Sequence, residues 1–262
     1  MKHFDVAIIG SGPSGASTAF YLAEKGIKTV IIEKETLPRY KTCGGGFVFR
    51  GRKNMPFDIS EVIDREFFEV DTYFGKKLHF KSKREKPVIS MIMRDAFDHL
   101  ITKKAQDLGV TLLENHKLTG LNFDNENIVL TTSQGEISSK FVIAADGVLS
   151  PTAKMAGWKE DTRKLIPALE YEVEVTKEDF ERLSKEVRFD IDAAPSGYAW
   201  SFPKKNHLSL GVLTTKRSKI NLKDYYAKYL KKLGITTIVS QSQHGFQIPV
   251  APRTDGFFKN NV

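Results

Sequence analysis

The chain has 262 residues, 27% charged and 40% hydrophobic, a balance that suits a folded globular protein of one or two domains. No apolar run approaches the ~18 residues of a membrane-spanning helix, and no signal-peptide pattern opens the chain. A single cysteine, Cys43, excludes an intramolecular disulfide and suits a reducing cytoplasm. Much of the net charge of +8 is local, at Lys76, Lys77, Lys81, Lys83, Arg84 and Lys86. No nucleic-acid-binding module accompanies it, which leaves a solvated hairpin or attraction to anionic lipid headgroups.

The first element is an apolar strand, Asp5-Val6-Ala7-Ile8-Ile9, that runs into Gly10-Ser11-Gly12-Pro13-Ser14-Gly15 and then a helix of small residues. Glycine-rich turns are common, but this one sits between a strand and a helix, where a dinucleotide motif belongs. There Gly10 makes the tight turn, Gly12 lets the backbone approach a pyrophosphate, and Gly15 lets the helix pack on the strand. The helix N-terminus then offers free N–H groups to the phosphates. A second strand, Thr29–Ile32, ends on Glu33, an acid at the ~20-residue spacing of a ribose ligand.

The period is lost from Leu37 to Phe47, where Cys43 precedes Gly44, Gly45 and Gly46. Three glycines suit either a flexible surface loop or a backbone lying against a flat ligand. Arg39 and Lys41 nearby would lower a thiol pKa. Residues 59–68 read as a helix, followed by strands at 71–74 and 78–80. The spacing of Phe97, Leu100, Ile101, Ala105 and Leu108 predicts a helix that ends at Gly109. Arg94 lies near its start, an unfavourable place for a cation, so it pairs with Asp95 or Asp98 or it binds an anion.

Val110–Leu113 continues a βαβ rhythm. Alternating segments at 117–123, 127–133 and 136–139 form a small meander separated by turn signals. Residues 140–147 read as a buried parallel strand ending in Asp146-Gly147, with Ser150 capping a short helix that opens on Pro151. A carboxylate at the end of such a strand faces the ligand crevice of an open α/β sheet. Beyond Trp158 the pattern becomes antiparallel, with strands at 166–175, 187–191, 197–203 and 207–214. The helix 222–233 then packs its apolar face on that sheet or lies on a membrane surface.

Four segments together resemble one family: the glycine motif with Glu33, Pro38-x-Tyr40-x-x-Cys43-Gly44-Gly45-Gly46, Arg94-x-x-Phe97-Asp98, and Ala145-Asp146-Gly147. A fifth is Tyr198-x-Trp200-x-Phe202-Pro203. The chain is similar to the geranylgeranyl reductase family of FAD-dependent oxidoreductases, within the p-hydroxybenzoate hydroxylase-like superfamily. The resemblance implies a Rossmann-like α/β domain with a β-meander (1–70 and 91–160, with 251–262 leading back into it). An interleaved antiparallel substrate domain would span 71–90 and 161–250.

The resemblance further implies FAD, with Gly10, Gly12, Pro13, Ser14 and Gly15 at its pyrophosphate and Glu33 and Lys34 at the adenosine side. Leu118 would lie near the adenine, Arg94 at the phosphate or ribityl region, and Asp146 and Gly147 at the phosphates. Cys43, Gly44 and Gly45 would lie near the flavin ring, with Cys43 the candidate proton donor. Tyr198, Trp200 and Phe202 would line an isoprenoid pocket, although without the family they also suit an ordinary sheet core. The implied reaction is hydrogenation of isoprenoid C=C bonds, with NAD(P)H or another reductant as electron donor. The implied setting is cytoplasmic, with peripheral membrane association and no nucleic-acid partner. Alternatives are a flavin hydroxylase or halogenase, or an inactive FAD- and lipid-binding fragment. Halogenases carry a tryptophan where Tyr198 stands. The superfamily's Gly-Asp motif does not follow Asp255-Gly256, so the chain reads as truncated.

Overall fold

The structure is a computed structural model that describes residues 1–75, 78–124, 126–158, 161–216 and 220–262. In chain order its first elements are β1 (Lys2–Ile9), α1 (Pro13–Ala23), β2 (Thr29–Ile32), β3 (Gly46–Val48) and α2 (Phe49–Lys53). A 3₁₀ turn (Ser60–Val62) leads into β4 (Ile63–Phe67), β5 (Glu69–Phe74), β6 (Leu78–Lys83) and β7 (Ile89–Ile92). Next come α3 (Arg94–Asp107), β8 (Thr111–Leu113), β9 (Leu118–Asp124), β10 (Asn127–Thr132), β11 (Gly135–Ala144) and α4 (Pro151–Met155). The remaining elements are β12 (Leu165–Val175), α5 (Lys177–Leu183), β13 (Arg188–Ile191), β14 (Gly197–Pro203), β15 (Leu208–Thr214), α6 (Leu222–Leu233) and β16 (Ile238–Pro249).

Two compact units result. The first comprises Met1–Tyr40, Asp95–Arg163 and Ala251–Val262. Its sheet has the order β8-β2-β1-β11-β10-β9, parallel from β8 to β11 and antiparallel through the meander. Residues 136–139 and the strand expected over 140–147 are one continuous β11 that ends at Ala144. It runs parallel to β1 from Ile137 to Ala144 and antiparallel to β10 at its start. Phe4, Ala7, Ile9, Val30, Ile32, Leu130 and Val142 make the core, and Val262 closes it.

The second unit comprises Lys41–Arg94 and Lys164–Val250. It holds a seven-stranded sheet, β16-β12-β15-β14-β13-β5-β6, and a three-stranded sheet, β3-β7-β4. Two expectations are corrected here. Residues 41–70 pack in this unit, because β3 and β4 both pair with β7. The expected helix over 59–68 is a 3₁₀ turn and a strand, since the alternation of Ile63, Arg65 and Phe67 fits the β7 ladder. The seven-stranded sheet is antiparallel, as expected, apart from one pair. β5 arrives from a distant segment, with no hairpin to set its direction, and pairs parallel to β13.

Helix α6 is capped by Asn221 and ended by Gly234 in the left-handed region, φ 71°. It buries Tyr226, Tyr229 and Leu233 against Leu169, Tyr171, Val173 and Leu210, and Tyr226 stacks on Tyr171 with centroids 3.9 Å apart. Its apolar face is therefore spent on the sheet. No helix among the described residues is long and apolar enough to cross a membrane.

A buried carboxylate, Asp190, ties α6 to β13 through cations that reach solvent. Asp190 accepts from Arg188 Nε at 2.6 Å and Nη2 at 3.0 Å, and meets Lys232 Nζ at 2.6 Å. Burial raises the Asp190 pKa, but these cations outweigh it and hold the carboxyl below its ordinary value. Asp190→Ala takes from half-buried Arg188 its closest carboxylate, leaving Glu186 at 3.5 Å, and should cost about 3 kcal/mol in urea unfolding. A loss below about 1 kcal/mol would show that the pair is solvent-screened.

Candidate functional site

The site residues fall in both units. In the first, Gly10 (φ +100°) abuts the β11 end so closely that an added Cβ would lie 2.7 Å from Ala145 O. A Cβ on Gly15 would lie 2.0 Å from Gly10 O, so only glycine lets α1 approach the turn. Gly12 caps α1 with no side-chain hydrogen bond, Pro13 occupies its first turn, and no acid lies there. An uncapped N-terminus with exposed Ser14 is the arrangement that accepts phosphate.

Glu33 is buried at the end of β2. It accepts from Ser11 N at 2.9 Å, Ser11 Oγ at 2.5 Å and Glu35 N at 3.1 Å. Burial raises its pKa, but these donors and Arg39 outweigh burial and keep it ionised. Arg39 bridges Glu33, at 3.6 Å, and buried Asp98, at 2.9 Å. Its guanidinium serves those acids, while Lys41 lies 3.8 Å from the Phe246 ring centroid. The flanking cations expected to act on Cys43 thus have other partners. Lys34 is exposed and pairs with Glu35, and the Leu118 side chain lies in the unit's core.

Asp146 follows β11, with Gly147 at φ +91°. Its Oδ2 accepts from Thr152 N at 3.0 Å and Oγ1 at 2.6 Å, fixing α4, while its buried Oδ1 has no partner among the described residues. An orphaned buried acceptor, an uncapped helix and two glycines no side chain could replace fit a dinucleotide with hydroxyl and phosphate groups to offer.

In the second unit, Cys43, Gly44 and Gly45 form a turn pressed on the aromatic face of β14. A Cβ on Gly44 would lie 2.9 Å from Trp200 Nε1 and 3.2 Å from the Phe202 ring. Gly45 (φ +65°) faces Ile92 O and Lys204 Nζ so closely that a Cβ would lie 2.0 and 2.2 Å from them. Lys204, fully buried, donates to Gly44 O at 2.6 Å and Ile92 O at 2.9 Å. Burial pushes its ammonium pKa down, and nearby Glu172, Cys43 and Glu170 push back. Cys43 is exposed, and its Sγ accepts from Gly45 N at 3.4 Å. Arg94 opens α3, half-buried. The structure thus brings Cys43, Gly44, Gly45, Trp200 and Phe202 together, with Tyr198 on the same strand face beyond Trp200.

Behind this turn lies an acid that the sequence reading missed. Glu170 on β12 is buried and accepts from Ser209 Oγ at 2.6 Å, and Ser209 Oγ in turn receives Trp200 Nε1 at 3.4 Å. Burial pushes the Glu170 carboxyl up to about 7, against the Ser209 bond, with Glu172 adding to the rise and Lys204 opposing it. Glu172 meets His207 Nε2 at 2.9 Å, and its Oε1 is buried without a partner among the described residues. A carboxyl poised near neutrality behind a glycine turn is the kind of group that proton-transfer sites use.

Residues 167–243 match the geranylgeranyl reductase catalytic domain, and residues 5–47 match the FAD dependent oxidoreductase family. An uncharacterized protein of Methanosarcina barkeri is 31% identical over 250 residues, 95% of this chain and 63% of that relative. A digeranylgeranylglycerophospholipid reductase of Methanococcus aeolicus is 28% identical over 88% of this chain and 60% of its own length. A geranylgeranyl bacteriochlorophyll reductase-like structure from Thermoplasma acidophilum superposes with TM-score 0.78 at 24% identity, covering 96% of this chain and 69% of that one. The fold is thus the mixed α/β architecture of FAD-dependent oxidoreductases. Within that class, the chain is similar to the geranylgeranyl reductase-like flavoproteins, and it spans about three fifths of the length of the two curated relatives.

Glu170 makes stability depend on pH. Its folded value of about 7 stands above the ordinary 4.5, so the native state keeps a proton that the unfolded chain has lost. The contribution is full below pH 4.5 and is lost as pH rises through 7, a fall on the order of 3 kcal/mol. Urea midpoints across that range should slope downward in the wild type, and Glu170→Gln should flatten the slope. An unchanged slope in the variant would assign the titration elsewhere.

Proposed function

We propose that this chain binds FAD and hydrogenates C=C bonds of an isoprenoid, a geranylgeranyl-type lipid or diphosphate, drawing electrons from NAD(P)H or another reductant in the cytoplasm. The observation that carries the reading is the Cys43–Gly46 turn seated on Trp200 and Phe202 and clamped by Lys204. It presents a backbone stripped of side chains, fit to lie against a flat ring, over buried aromatics whose strand continues to half-buried Tyr198. The name of the Methanococcus aeolicus relative points to the same substrate class.

In this reading Gly10, Gly12, Pro13, Ser14 and Gly15 hold the pyrophosphate, Glu33 and Lys34 the adenosine ribose side, and Leu118 the adenine through its backbone. Asp146 offers its unpartnered Oδ1 to the cofactor, Gly147 frees the chain beside it, and Arg94 supplies positive charge for phosphate or ribityl oxygens. When bound, the flavin supplies hydride chemistry, which no side chain can. Tyr198, Trp200 and Phe202 hold the isoprenoid and exclude water. Cys43 Sγ holds the proton that the second alkene carbon needs, exposed at the edge of the turn. An isolated alkene accepts hydride poorly, so placement of that proton decides the rate.

The purified chain should retain flavin bands after excess FAD is removed. Anaerobically reduced protein given a geranylgeranyl lipid should reoxidise as the product gains two hydrogens per bond. Cys43→Ala should keep the flavin spectrum and slow this step by about 10²-fold or more. Equal rates would remove Cys43 as the donor, and a colourless wild-type chain would overturn the FAD reading.

A further inference from the structure

The β5–β6 hairpin is the part of the second unit that its own packing leaves unexplained. Strand β6 is the sheet's outer edge, and all six of its residues are exposed. Leu78 is 57% exposed and Phe80 55%, a large apolar surface for an edge strand, with Phe74 beside Phe80 at 5.8 Å between centroids. Natural edges are normally blunted by charge, because bare strands invite pairing. Here the charge is segregated. His79 and Lys81 engage Asp71 and Glu69, and Lys83, Arg84 and Lys86 stand exposed at the foot of the strand with one acid, Glu85. Between 76 and 86 the sequence places six cations against that single acid, although Lys76 and Lys77 lie outside the described residues.

The apolar side of the hairpin does not end at the edge. Residues opposite one another in a ladder share a face. Phe80 pairs with Thr72, Thr72 with Phe189, and Phe189 with Trp200. In the neighbouring row, Leu78 pairs with Phe74, Phe74 with Ile191, and Ile191 with Tyr198. Two side-chain rows therefore run unbroken across four strands, from the exposed edge to the aromatic pair of β14. Ile191 and Tyr198 also line a cavity of about 410 Å³ with Ile248 and Val250.

We propose that the β5–β6 hairpin docks on an anionic lipid bilayer, with Leu78, Phe80 and Phe74 entering the interface and Lys83, Arg84 and Lys86 meeting headgroup phosphates. Apolar insertion combined with polybasic attraction is the two-part signal that holds a peripheral protein on such a surface. The ladder rows then give an isoprenoid tail a path along one sheet face from the bilayer to Trp200. The path rests on the isoprenoid reading above, whereas the docking does not.

Flotation with vesicles of phosphatidylcholine alone, or of equal parts phosphatidylcholine and phosphatidylglycerol, reads the docking without cofactor or turnover. The wild type should float with the anionic vesicles, and high salt should weaken it. Leu78→Ser with Phe80→Ser should weaken binding at least ~10-fold, and reversing Lys83, Arg84 and Lys86 to Glu should abolish the preference for anionic lipid. These side chains are exposed, so thermal midpoints should stay at the wild-type value. Equal partition of the serine variant and the wild type overturns the proposal. So does a sedimentation-detected dimer that the serine variant dissolves while vesicles bind neither protein. Either result leaves the isoprenoid reading standing, and loss of reductase activity with docking intact would sink that reading alone.

Discussion

The constraint on which the second unit's site depends is the burial of the Lys204 ammonium. Out of water, such a group must find acceptors or lose its charge. The carbonyls of Gly44 and Ile92 supply two, drawing together segments far from β14 in sequence. Gly45 is left with no room for a side chain, so the turn adopts one conformation rather than many. Its fixed shape, not glycine's freedom, is what presents Cys43 and the bare backbone.

The first unit works by the opposite device. The groups proposed to face a ligand are short of partners among the described residues: an α1 N-terminus with no capping side chain and an Asp146 oxygen with no donor. Around them the protein spends donors on acids it needs rigid. Glu33 takes bonds from Ser11 and Glu35, and Arg39 spans Glu33 and Asp98. The pattern is a stiff frame around deliberately unsatisfied atoms, as preorganised binding requires.

Local signals made much of this legible. The glycine spacing, the Glu33 position and the Asp146-Gly147 turn each rest on neighbours in sequence, and the parallel sheet follows from the order of its strands. What stayed hidden depends on distant packing. Glu170 and Glu172 alternate with Leu169, Tyr171 and Val173, a pattern that reads as a solvated face. The face is covered instead, because the Cys43 turn and the aromatics of β14 lie over it, and burial turns an ordinary surface acid into a titrating one. Lys204 follows Pro203 at the end of β14, where nothing local signals that an ammonium is fully buried. The helix expected over 59–68 failed because pairing with β7 overrode local preference.

The order in which the segments alternate bears on how the protein is made. Unit one is interrupted twice, by 41–94 and by 164–250, and its core includes Val262. A ribosome therefore releases β1 and β2 early, yet Val262, which packs in their core, appears after both interruptions. The same holds within unit two, where β5 waits more than 100 residues for β13. Such non-local closure costs chain entropy before any contact repays it, and it lengthens the time that Val- and Ile-rich strands stand uncovered. The nascent chain, with its strands waiting for distant partners, is where this topology is exposed to aggregation.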